Sequence, residues 1–362
     1  MKLELFCCSG GMAEGARRAG LAFDFAFDWS PDACDSYERN LGHRPAQMDV
    51  RDLVRLARGG WRPEKEIELL VADPPCTPWS RAGKREGLAD GRDCLRETAE
   101  LVSLWRPRAY LIGNVPGLDD ATSWHVVEEV IGGLARFGYC TADYAQLDAA
   151  DYGVPQHRFR PFWFGHLGGR CIRWPSPTHT DPLSAAHPTL PGQDGLRPWV
   201  TCRDALSHLP IDELGRPVRL RWKDYKTNKS QDGSGGGGGT LLVNKKHPIN
   251  QVDEPSYAVT TKGDRGAQGA CALEWPWDLP ATTVQRDARL APPGHHDRWS
   301  IMSHPNAVIL SEKARAILQG FPESWHFAGK TKKARSEQIG MAMPPGLAEA
   351  LFRSVRRQMD GA

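Results

Sequence analysis

Val71-Ala72-Asp73-Pro74-Pro75-Cys76-Thr77-Pro78-Trp79-Ser80 is the stretch on which the fold turns. The apolar run 67–72 that leads into it has the length of a buried strand. It stops at two prolines, which lack the N–H that a ladder needs. Cys76 follows at once, on a turn at the carboxyl end of that strand, where open α/β sheets gather ligands and reacting groups. The competing reading is a structural cysteine, because free Cys is among the most buried residue types. Residues 80–93 are rich in Gly, Arg and Lys without an apolar period. They are expected to form a mobile loop beside the thiol, a basic loop that carries Ser80, Arg81, Lys84 and Arg85.

Outward from this strand, the chain alternates strands and helices. Residues 3–7 form an apolar strand, Ser9-Gly10-Gly11 a turn, and residues 12–19 a helix. Strand, glycine turn and helix make the opening unit of a nucleotide-type fold, with the helix N-terminus offered to a polar group. A second strand, 23–27, closes on Asp28-Trp29. An acid there is placed for ribose hydroxyls, and the indole face for an adenine. Asp28 as an N-cap of the helix 31–40 is the alternative. Asp49, after Met48, is placed to accept from an adenine amino group. Further on, helix 95–105, strand 109–112, helix 126–137, strand 139–147 and strand 161–165 follow in turn. The alternation predicts a mostly parallel sheet covered on both faces.

The 362 residues suit two domains, or one with an insertion, and the net charge of +2 means that a polyanion must meet a local patch. Nine cysteines without metal-ligand spacing argue against a disulfide framework and for a reducing compartment. No signal peptide is read at the N-terminus, and no run approaches the ~18 apolar residues of a spanning helix. After Gly168 prolines crowd the chain. Arg216, Arg219, Arg221, Lys223, Lys226 and Lys229 then interleave with Trp222 and Tyr225. Cations neutralise phosphates and aromatics stack on bases; a solvated face is the plain alternative. Residues 230–239 are a glycine-rich linker. Two echoing segments, 253–261 and 278–285, read as short strands of an irregular β-rich unit. Residues 312–318 and 347–359 read as helices, with a turn over 340–345.

Taken together, these motifs resemble the DNA cytosine-5 methyltransferases in that family's order. Phe6-Cys7-Cys8-Ser9-Gly10-Gly11 is similar to the cofactor motif, and Asp73-Pro74-Pro75-Cys76 to the nucleophile motif. Gly113-Asn114-Val115 falls on Glu-Asn-Val, and Gln156-His157-Arg158-Phe159-Arg160 matches the two-arginine motif. Residues 197–206 resemble the opening of the target-recognition region. Gln319-Gly320-Phe321-Pro322 and Gly340-Met341-Ala342-Met343 lead into the last motif. The resemblance implies a Rossmann-like S-adenosylmethionine-dependent α/β domain with a smaller irregular β-rich target-recognition domain. The expected boundaries are 1–192 (catalytic and cofactor-binding), 193–329 (target recognition) and 330–362 (returning to the catalytic domain).

The implied reaction moves a methyl group to C5 of a cytosine flipped out of DNA, through a covalent bond from Cys76 to C6. Arg158 and Arg160 would hold the pyrimidine and lower the thiol pKa. Phe6, Cys8, Ser9, Gly10, Gly11, Met12, Asp28, Trp29, Asp49, Val50, Pro74, Met341 and Ala342 would line the S-adenosylmethionine site. Gln156, Arg219, Arg221, Lys223 and Lys226 would join the basic loop on the nucleic acid. Double-stranded DNA, a cognate restriction endonuclease, a monomeric state, a prokaryotic or phage-infected cytoplasm, no membrane and no metal complete the expectations. Two departures stand out. The family's Glu, which contacts N3 and the exocyclic amine, is here Gly113, and the Asn of the last motif is Met341. Three accounts stay open: an impaired or deliberately altered enzyme, an acid relocated to Asp73 or Asp148, or a pocket altered for another pyrimidine or a modified S-adenosylmethionine; a catalytically impaired homologue that only binds DNA is the alternative function. RNA as substrate is a further alternative.

Overall fold

The computed structural model describes residues 1–75, 93–118, 123–141, 143–169, 171–182, 195–217, 274–275, 277–281, 289–290 and 308–360. The first half is β1 (Lys2–Leu5), α1 (Gly11–Arg18), β2 (Phe25–Asp28), α2 (Pro31–Leu41), β3 (Ala46–Gln47), α3 (Val50–Arg58), β4 (Leu69–Ala72), α4 (Leu95–Trp105), β5 (Ala109–Gly113), α5 (Trp124–Val130), β6 (Asp143–Asp148) and β7 (Phe159–His166). Their strands make one sheet in the order β3-β2-β1-β4-β5-β7-β6. The pairs β1–β2, β1–β4, β2–β3 and β4–β5 are parallel, and β7 runs antiparallel to both β5 and β6. This is the expected α/β class: a mostly parallel sheet with helices on both faces.

The helix 126–137 expected from the sequence ends early. α5 stops at Val130, and Gly132–Phe137 continues as a 3-10 turn. Two consecutive glycines, Gly132 and Gly133, make an α-helix costly there. The strand expected over 139–147 is shorter as well. It begins at Asp143, and Tyr139 pairs with Leu167 through an isolated bridge.

Two apolar layers cover the sheet. One joins Leu5, Leu70 and Ile112 to Val50, Leu53 and Val54 of α3, Leu95 and Val102 of α4, and Val126 and Val127 of α5. The other sets α1 against the last helix, α10 below, through Ala13, Ala16, Leu347, Ala348, Leu351, Phe352 and Val355. All five of these last-helix residues are fully buried. Each such Leu or Phe contributes about 1.5–3 kcal/mol of burial, so the C-terminal helix is part of the core that covers the seven-stranded sheet.

The second half holds β8 (His179–Thr180), β9 (Arg197–Pro198), α6 (Cys202–Leu206), α7 (Ile211–Leu214), β10 (Gly215–Pro217), β11 (Glu274–Trp275), β12 (Arg289–Leu290), β13 (Val308–Leu310), α8 (Glu312–Leu318), α9 (Lys332–Met341) and α10 (Pro345–Asp360). A small sheet runs β10-β13-β12-β11. α6 opens with a reciprocal cap between Thr201 and Asp204. Of the two echoing segments, 253–261 lies outside the described residues. In the other, Ala281 forms a parallel bridge with Gln156, and 282–285 lie outside the described residues. Among the described residues, no helix is long and apolar enough to cross a membrane.

The α1–α10 contact yields a prediction. A Cβ on Gly15 would sit 2.4 Å from Ala348 Cβ and 2.7 Å from the Glu349 nitrogen and the Pro345 oxygen. Two of these are backbone atoms, so they cannot swing away. Gly15→Ala gains about 1 kcal/mol in helix propensity, but overpacking costs about 1–3 kcal/mol. The variant is expected to unfold at lower urea concentration than the parent. An unchanged or higher midpoint would show that α10 yields freely.

Candidate active site at the carboxyl edge of the sheet

Strand register sets the site. Leu5 of β1 lies level with Ala72 of β4, and Ala72 level with Ile112 of β5. The next residues in each strand, Phe6, Asp73 and Gly113, therefore emerge side by side at one edge. β1 is also where the strand order reverses, the crevice in which such sheets bind ligands.

On the β1–β2 side, the backbone is tightly held. Phe6 (φ 58°) and Cys8 (φ 49°) are left-handed although neither is glycine. Such conformations cost on the order of 1–3 kcal/mol each and persist where surroundings enforce them. The enforcement is visible: Asp28 Oδ2 accepts the Cys8 N–H at 2.9 Å, while its Oδ1 accepts the Ser30 N–H at 2.9 Å. Burial still holds the Asp28 carboxyl above the ordinary range, against those backbone donors. Beside it Trp29 is 68% exposed, an open indole face. Asp49 caps α3 by accepting the Arg51 N–H at 2.8 Å, and its side chain stays partly open to solvent. Below them in β1, Glu4 takes the Tyr37 hydroxyl at 3.3 Å, and burial drives its carboxyl well above the usual range.

Other expected cofactor residues take different positions. Gly10 (φ +91°) starts α1 in the left-handed region, as glycine permits. A Cβ on Gly11 would lie 2.1 Å from the Met343 carbonyl, so its missing side chain admits the C-terminal segment and not a ligand. Met12, Val50 and Ala342 are buried in apolar clusters. Ser9 and Pro74 are buried too. Met341 is 55% exposed at the end of α9, and the Cys8 thiol reaches Gln338 of the same helix at 3.9 Å. Burial pushes that thiol up to about 12.

On the β4–β5–β7 side, Arg158 is 2% and Arg160 7% exposed. Arg158 donates to the Gly340 carbonyl at 2.8 Å, and its own N–H goes to Asp148. Asp148 also takes His157 Nδ1 at 2.7 Å and the Ala150 N–H at 3.3 Å. Arg160 Nη1 bonds the Phe159 carbonyl at 3.0 Å, and both guanidiniums act on the Asp73 carboxyl. Gly113 ends β5 against Phe162. Asn114 is buried, its Oδ1 accepting the Val115 N–H at 2.8 Å. Gln156 does not face the cleft: it is fully buried and donates to the Leu318 carbonyl and the Gln319 amide. A nucleic-acid contact from its side chain is incompatible with that position.

Cys76, the basic loop Ser80, Arg81, Lys84 and Arg85, and Arg219, Arg221, Lys223 and Lys226 lie outside the described residues. One grouping not legible from spacing is Cys140, Asp143 and Cys171, whose ligand atoms all fall within 4.8 Å of one another near the start of β6.

The chain is similar to known proteins over nearly all of its length. A family model described as C-5 cytosine-specific DNA methylase matches residues 1–357. The chain is 27% identical to the Type II methyltransferase M1.HphI of Haemophilus parahaemolyticus over 98% of its length and 86% of the relative's. It is also 27% identical to M.NgoMIV of Neisseria gonorrhoeae, covering 98% and 96%. The structure of a DNA modification methyltransferase encoded within an E. coli prophage superposes with a TM-score of 0.61 at 20% identity, covering 99% of both chains. S. pombe Dnmt2 methyltransferase gives 0.56 at 16%, covering 97% and 96%. The fold is thus the Rossmann-like one of the S-adenosylmethionine-dependent methyltransferases, and the chain belongs to the C-5 cytosine-specific DNA methylase family, as a DNA cytosine-5 methyltransferase.

Proposed function

We propose that this protein methylates C5 of a cytosine in duplex DNA through a covalent intermediate on Cys76. The observation that carries this is the level placement of the β1, β4 and β5 ends, with Arg158 and Arg160 buried beside Asp73, three residues before the thiol. Cytosine C5 is a weak nucleophile. A thiolate added at C6 makes it an enamine, and neighbouring guanidiniums favour the thiolate. The base must leave the duplex to reach such an edge.

S-Adenosylmethionine fits the β1–β3 edge. Trp29 offers an aromatic face, with the Asp28 carboxyl on one strand end and the half-open Asp49 carboxyl on the next. Bound there, it supplies the sulfonium methyl group. Phe6, Cys8 and Gly10 shape the turn beneath it, and Met341 borders it from α9. The donor we propose is the unmodified molecule, because the departure at Gly113 has a local counterpart in the protein. Residues 1–192 and 330–362 would form the catalytic half and 193–329 the recognition half, with basic residues from 216 to 229 on phosphates. A cognate restriction endonuclease is proposed from the Type II names of the relatives, with action in a prokaryotic cytoplasm. An impaired, purely binding homologue is disfavoured, since base binding needs no thiol.

Two outcomes are expected. DNA carrying 5-fluorocytosine should form a denaturation-resistant adduct with the parent in the presence of the donor, and none with Cys76→Ser; equal adduct in both would refute the assignment. In calorimetry, Asp28→Ala should bind S-adenosylhomocysteine at least about tenfold more weakly, since it also frees the Cys8 and Ser30 N–H groups that shape the turn. Unaltered affinity would remove Asp28 from the cofactor site.

A further inference from the structure

Gly113 leaves the β5 end without a side chain, yet the space there is not empty of acid. A Cβ built on Gly113 would lie 3.5 Å from Asp73 Oδ1 and only 3.0 Å from Phe162 Cε1. Phe162 is fully buried, so a larger residue at 113 would press on a core ring. The Asp73 carboxyl, one strand over, already borders the position where that side chain would begin. Asp73 is half-buried, between buried Ala72 and Pro74. Among the described residues, none donates a hydrogen bond to it; its interactions are the charges of Arg160 and Arg158.

Resting on the function proposed above, we propose that Asp73 is the catalytic acid that protonates N3 of the target cytosine, in place of a side chain at 113. As Cys76 Sγ bonds to C6, the C5=C6 electron pair moves to C4–C5 and the C4=N3 pair moves onto N3. N3 takes the proton from Asp73, leaving a carboxylate beside Arg158 and Arg160 and a neutral enamine. When Sγ is expelled, the N3 proton returns to Asp73. No other reactant is consumed by this addition and its reversal.

Other acids near the edge are committed. Asp148 already accepts from Ala150, His157 and Arg158. Asp28 accepts from Cys8 and Ser30, and Glu4 takes the Tyr37 hydroxyl inside β1. Burial raises the Asp73 carboxyl above its ordinary range, and the two arginines offset only part of that. The other titratable groups that sense it, Glu4 and Cys8, are themselves pushed up by burial, Cys8 to about 12. A raised folded pKa keeps Asp73 protonated to higher pH than a free aspartate. Its contribution is present below that pKa and is lost as pH rises through it.

The test uses exchange of the C5 hydrogen of DNA cytosine with solvent, measured without methyl donor. The parent should exchange with a bell-shaped pH profile, and Cys76→Ser should not exchange. Asp73→Asn should bind S-adenosylhomocysteine as the parent does, exchange about a hundredfold more slowly or worse, and lose the descending high-pH limb. Asp73→Gly combined with Gly113→Glu and Phe162→Leu should exchange at least tenfold faster than Asp73→Gly alone. Parent-like rate and profile in Asp73→Asn would overturn the role of Asp73. So would failure of the relocated carboxylate to help while S-adenosylhomocysteine binding is intact. No exchange by the parent would overturn the proposed function itself, and this inference with it.

Discussion

The site depends on the pairing register of β1, β4 and β5. Because Leu5, Ala72 and Ile112 are level, the residues that follow them, Phe6, Asp73 and Gly113, converge at one edge without any loop having to carry them there. A slip of one residue would turn every side chain of β4 to the other face. Leu69, Leu70, Val71 and Ala72 are all fully buried, so both faces of β4 are committed to apolar layers and the register is strongly specified. Two prolines then end the ladder.

Around that edge, stability and chemistry compete for the same groups. Asp28 ties the turn after β1 to the turn after β2, at the cost of a buried carboxyl. Arg158 links the start of β7 to the Gly340 carbonyl, so the C-terminal segment is bound to the arginine pair. The close approach of Met343 to Gly11 and of Ala348 to Gly15 completes that junction. The last motif in the chain thereby becomes a structural neighbour of the first.

Much of this was legible from sequence where apolar period and breakers coincide. α4 spans the expected residues, 95–105, and α8 the expected 312–318. α3 was missed: it follows a strand of only two exposed residues, although Val50, Leu53, Val54 and Ala57 have helical spacing. α9 was missed for a different reason. Its buried residues are Ser336, Gln338 and Ile339, so it presents no apolar stripe. The burial of Gln156 and the role of Gly11 depend on segments more than 150 residues away, which no local pattern encodes. The loss of Glu at 113 was visible in the motif. The neighbouring carboxyl became specific only through the register, which also showed Asp148 to be fully engaged.

The proposed chemistry of this edge is cytosine C5 methylation in DNA with ordinary S-adenosylmethionine, despite the glycine at 113. The direct measurement is mass spectrometry of nucleosides released from duplex DNA after incubation with the protein and that donor. The expected product is 5-methyl-2′-deoxycytidine, with no other modified nucleoside and no product on RNA. A product of different mass, or methylation confined to RNA, would contradict it.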